Sequence, residues 1–145
     1  FIINNQIMKI NLKSSFIVFT IFLATSAFGQ DIYFKYLKTH IVVNSNGSEK
    51  VKLIDSSIGN FKFETVEKDK NLLIILDMSK TRPFETWQWY KWKKDEGYIE
   101  RNNKYFKKSL RLNVEKNTEA YFFYAVDSSS VLIFCADDTV LEYYN

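Results

Sequence analysis

The segment Tyr105–Val114 reads YFKKSLRLNV, and its alternation decides the fold class. Phe106, Leu110, Leu112 and Val114 share one parity. Tyr105, Lys107, Ser109, Arg111 and Asn113 take the other, and only Lys108 breaks the pattern. Successive side chains of a strand point to opposite faces, so this period of two predicts a strand with one buried and one wet face.

Working outward, the same signature repeats. Turn residues at 115–118, 127–130 and 136–139 separate the apolar runs 120–126, 131–135 and 140–144. Upstream, Ser45-Asn46-Gly47-Ser48 is a strong hairpin signal between strands 41–44 and 49–54. A loop over 55–60, a strand over 61–66, a turn over 68–71 and an apolar strand over 72–78 follow. Residues 31–39 fit a helix or a strand, and 30–38 reads as a loosely held arm. The sum is an all-β antiparallel meander of nine or ten short strands. Such a meander closes as a small, calycin-like barrel or packs as a two-sheet sandwich. No calycin motif is present, so that likeness is one of topology alone.

Residues 1–29 are expected to stand apart from this domain. Met8, Lys9 and Lys13 precede the apolar run 16–24, and Thr25-Ser26-Ala27-Phe28-Gly29 offers small residues for cleavage. That order of basic, apolar and small segments reads as an upstream remnant followed by a cleavable secretory signal starting at Met8. Cleavage after Gly29 leaves 30–145 as one domain, periplasmic or extracellular, and a bacterial source is preferred. The apolar run is too short for a stable membrane span.

Without Lys9 and Lys13 the chain carries 18 basic and 17 acidic residues, which argues against nucleic acid as a partner. Residues 80–111 hold ten basic and four acidic residues, and 112–145 hold one and six. Adjacent strands from these two segments are expected to neutralise each other. Cys135 is the one cysteine, so no intrachain disulfide forms, and its apolar surroundings predict a buried, inert thiol.

Enzyme chemistry finds little support. His40 is the one histidine, no metal-ligand spacing occurs, and the pairs Asp95-Glu96 and Asp137-Asp138 fall in turn-like sequence. No catalytic residue, metal or cofactor is assigned. Asn46-Gly47-Ser48 matches a glycosylation acceptor but serves as a turn.

The remaining candidate is PFETWQWYKWKKDEGY, residues 83–98, which holds all three tryptophans. Read as a strand turning at Lys94–Gly97, it pairs Trp92 with Ile99, Lys91 with Glu100 and Lys93 with Tyr98. That register expects Phe84, Tyr90 and Trp92 inward. Trp87 and Trp89 then face outward with Lys91, Lys93, Asn102 and Lys104 as a ligand-binding platform rimmed by lysine. The expectation is a non-enzymatic exported binding module, a monomer or weak dimer, taking a glycan or an apolar small ligand. The alternative is a protein–protein inhibitor or immunity-type protein acting on a secreted enzyme.

Overall fold

The structure is a computed structural model that describes residues 31–66 and 68–145. The signal-like segment lies outside the described residues. Eight strands follow in order: β1 (Ile32–Ser45), β2 (Ser48–Val66), β3 (Asp69–Asp77), β4 (Gln88–Arg101), β5 (Lys104–Asn113), β6 (Thr118–Ala125), β7 (Ser130–Phe134) and β8 (Thr139–Tyr144). Each pairs antiparallel with the next, and β1 pairs with β8 from Ile41↔Thr139 to Tyr36↔Tyr144, closing the sheet as a barrel.

The all-β meander is therefore as expected, but the strand count falls to eight. The stretch 55–60 is not a loop: β2 runs through it, paired to β1 with bulges. The described part of the expected arm over 30–38 is not loose either, because Ile32–Lys38 belongs to β1 and carries part of the closing seam, which also settles 31–39 as strand over Ile32–Thr39.

The barrel is filled with rings. Phe34, Phe61, Phe63, Tyr90, Phe122, Tyr124 and Tyr143 form its core with Leu73, Ile75, Val131 and Ile133. Tyr143 packs edge-on against Phe61 and Phe63 at centroid distances of 5.3 and 4.9 Å. Burying rings of this size dominates the energetics of a small domain. Burial also pushes the Tyr90 and Tyr143 phenols far above their ordinary range.

The faces of β5 are inverted relative to the sequence reading. Directly opposed residues share a face, and Ser109 pairs with Phe122 and Arg111 with Ala120, both core residues. The polar parity of β5 thus lies on the barrel's inner side, and Phe106, Leu110 and Leu112 lie on its outer side. The inner volume is already taken by Phe122 and Tyr124, so the small Ser109 fits there. The Arg111 guanidinium stacks 5.4 Å from the Phe122 ring centre. Ser109 is 2% exposed and its hydroxyl has no hydrogen-bond partner.

At the far end of β2 and β3 one carboxylate ties three segments together. Asp77 Oδ1 accepts from the amides of Asn60 (3.1 Å) and Ser79 (3.0 Å) and from the Ser79 hydroxyl (2.6 Å). Burial pulls this carboxyl upward, but the Ser79 and Asn60 bonds outweigh it and leave it below its ordinary value. Gly59 lies against this knot. A Cβ there would sit 2.8 Å from Phe61 Cζ and 2.9 Å from Asp77 Oδ1.

Gly59→Ala is therefore expected to cost about 1–3 kcal/mol, as overpacking does. Urea denaturation should show a lower midpoint at an unchanged slope. Alkaline pH should also weaken the fold. The folded chain holds the Cys135, Tyr90 and Tyr143 protons more tightly than the unfolded chain. Stability is thus full below the ordinary thiol value of 9.0 and falls as pH rises through the folded values. A series of thermal melts from pH 7 to 11 checks this.

Candidate functional site

The chain leaves β3 through a 3-10 turn at Pro83–Thr86 and enters β4 at Gln88. Pro83 sits where its missing amide proton costs nothing. The Thr86 hydroxyl donates to the Pro83 carbonyl at 2.6 Å and accepts from the Asp77 amide at 2.8 Å. The Asp77 knot thus also positions the tryptophan segment.

Three aromatic rings meet on the outer face of this corner. Phe84 and Trp87 pack at 5.1 Å with planes 73° apart, and Trp87 and Trp89 at 4.9 Å with planes 58° apart. Phe84 is 70% exposed, and both tryptophans are half-buried. With Glu85, Val114 and Glu115 they line an open notch of about 450 Å³. The Val114 amide donates to the Trp89 carbonyl at 2.9 Å, holding that wall in place. The Trp87 indole nitrogen is buried without a partner.

The expected hairpin is absent. β4 runs unbroken from Gln88 to Arg101, and its turn is Asn102-Asn103, both at positive φ (52° and 61°). Asparagine tolerates that conformation, and two in succession make a tight hairpin turn. Gly97 does take a positive φ of 84°, but within a register shift between Asp95 and Tyr98 rather than a turn. Trp92 consequently faces Arg111, and Lys91 faces Leu112. Trp92 keeps the inner face with Arg111 but is 37% exposed and donates its indole N–H to Asp95 at 3.1 Å, so it is not the buried core residue expected. Phe84, expected inward, is outward. Tyr90 is inward as expected, and Trp87 and Trp89 lie on the outer face.

The expected platform is therefore divided. Lys91 shares the outer face with Trp89, because their partners on β3 are Leu72 and Ile74. Lys93 falls at a register shift and pairs with Glu119 at 2.8 Å. Asn102 and Lys104 sit roughly 40 Å of extended chain away from Trp89. Lys104 there reaches Ser129 at 3.0 Å and Asp127 at 3.8 Å. The Lys93–Glu119 and Lys104–Asp127 pairs join the basic segment to the acidic one, as expected. The rim of the notch is then acidic rather than basic, with Glu85 and Glu115 at its edge. Glu115 lies on the β5–β6 turn, and the pairing of β5 with β4 brings it to Trp87 and Trp89.

Other candidates resolve simply. His40 Nε2 bonds Glu142 at 3.1 Å on the outer face. No group of three or more potential metal ligands occurs among the described residues. Cys135 is partly buried, and burial, then the Asp137 charge, pushes its thiol up to about 11. Comparison with known families, characterised proteins and solved structures finds no match.

Asp77→Asn should loosen this corner, since the carboxylate's charge-assisted bonds are worth roughly 1.5–3 kcal/mol each. The wild type keeps this stabilisation above the ordinary value of 3.8 and loses it as pH falls through the lower folded value. The variant is expected to lack that acid transition, which fluorescence-monitored acid titrations of the two proteins would show.

Proposed function

We propose that this chain is an exported, non-enzymatic binding module whose contact surface is the aromatic notch of Phe84, Trp87 and Trp89. The observation that carries this reading is the exposure of three mutually angled rings on a braced corner. A monomeric domain gains nothing in stability by leaving Phe84 in solvent. The tilt between Trp87 and Trp89 makes a notch rather than a flat shelf, which favours a compact apolar group over an extended sugar face. Glu115 adds negative charge at the rim, where Glu85 is paired with Arg82 at 3.2 Å, and aromatic faces attract cations. The ligand group favoured is therefore apolar and positively charged, such as a quaternary ammonium.

A protein partner is the second reading, favoured by a different observation. β2 pairs with β3 only from Phe61 onward, and Asn60 is held by Asp77 and Met78, so the outer edge of β2 over 48–59 is unpaired by β3. That arm also exposes Val51, Leu53, Ile54 and Ile58. An edge of this kind accepts a strand from another chain.

Titration with choline is expected to change tryptophan emission in the wild type and not in Trp87→Ala or Trp89→Ala. Its neutral isostere, 3,3-dimethylbutan-1-ol, should act more weakly. A response to glycan oligomers alone would replace the cationic group with a sugar, and no response to either would sink the notch as a site. Acrylamide quenching gives a separate check. Trp92→Phe should reduce the accessible fraction, because Trp92 is at the surface.

A further inference from the structure

A second concavity, of about 280 Å³, opens at the barrel's end, where the β5–β6 and β7–β8 turns meet. Glu115 lines both this mouth and the aromatic notch. The inner wall is polar on one side, with Gln88, Tyr90 and Asn113, and softer on the other, with Cys135, Ala120 and Leu141. Register places these groups on the inner face, since Tyr90 opposes Leu73 and Asn113, and Leu141 opposes Ile133.

We propose that this mouth binds a small neutral polyhydroxyl compound the size of a single sugar ring. Its polar groups are held in place before any ligand arrives. The Tyr90 hydroxyl donates to Gln88 Oε1 at 2.9 Å, and Asn113 Oδ1 accepts the Lys116 amide at 3.0 Å. Each amide is thereby oriented and still has N–H donors, which suit ligand hydroxyl oxygens. Ala120 and Leu141 offer an aliphatic wall to a ring's C–H face. Pre-oriented polar groups on an otherwise apolar wall are the usual make-up of a small-molecule site.

The lining also selects against charge. Burial keeps the Tyr90 phenol and the Cys135 thiol protonated at neutral pH, and the amides do not titrate. The charged groups Glu115, Lys116, Glu119 and Asp137 line the pocket from turn and edge positions and are exposed. An ion in the neutral interior would lose its hydration without a counter-charge. A hydroxylated neutral ring exchanges water for matched hydrogen bonds. This mouth is a separate site from the notch and stands or falls independently of it.

Cys135 supplies the readout, because it lines the cavity and is the protein's one cysteine. The experiment follows iodoacetamide alkylation of Cys135 by mass spectrometry on the full chain. Glucose, galactose, N-acetylglucosamine and myo-inositol are the neutral probes, and glucuronate and glucosamine are the charged ones. At least one neutral probe is expected to slow alkylation, by about tenfold at about ten times its dissociation constant. The charged probes should leave the rate unchanged. Gln88→Leu should abolish the protection, measured against that variant's own sugar-free alkylation rate. Thr118→Trp, which fills the mouth, should alkylate slowly with or without sugar. The proposal is overturned if no neutral probe slows the wild type, if charged probes slow it equally, or if Gln88→Leu keeps full protection. Should Thr118→Trp fail to fold by circular dichroism, Gln88→Leu alone decides the matter. Tryptophan emission reports on the notch, so failure of one site is distinguishable from failure of the other.

Discussion

The ring of Tyr143 holds the fold closed. It lies on the last strand, is 1% exposed, and packs against Phe34 and Phe61 and Phe63 from the first two strands. Backbone pairing between β1 and β8 supplies the seam's hydrogen bonds, but net gains from hydrogen bonding are modest where water competes. The ring cluster beneath supplies the apolar burial that makes closure favourable. Everything else is arranged around it. The crowded interior sends the apolar residues of β5 outward, and open space is left at the barrel's ends and outer face, where the notch, the mouth and an outer groove lie.

Those concavities differ in character because they come from different mismatches between strand lengths. β3 ends well before β2 and β4 do, so both neighbours extend as two-stranded arms. The arm tips flank an outer groove floored by Leu132, Phe134 and Val140. The long β3–β4 connection pushes Phe84 and Trp87 to the outside. Short β5–β6 and β7–β8 turns leave the mouth uncovered.

Much of this was legible in the chain. The turns at Asn46-Gly47, 115–117 and 136–138 fall where turn chemistry places them, because glycine, asparagine and, at Asp138, aspartate adopt positive φ at little cost. What misled was the same chemistry used differently. Gly97 needs its positive φ for a register shift inside a continuous strand, and nothing local distinguishes that from a turn. Ser56 and Ser57 look like loop residues, yet they lie in a bulged edge strand paired to β1, where an open outer edge accepts them. Period two in β5 revealed a strand but not which face was inside. In a narrow barrel the outer face also buries residues such as Phe106 and Leu110. The notch tryptophans were visible as an aromatic run. Glu115 was not, because it is 26 residues along the chain from Trp89 and arrives through tertiary structure alone.

The seam between β1 and β8 also dictates when the barrel can form. Its partners are separated by about a hundred residues, as Lys38↔Glu142 shows. A chain emerging from the ribosome holds its first strand without a closing partner until the final strand follows. Contacts of this sequence separation slow folding and leave strand edges exposed meanwhile. Residues 36–41 must therefore stay competent to pair through nearly the whole of synthesis. Helpers that cover nascent strands would act most strongly on this segment.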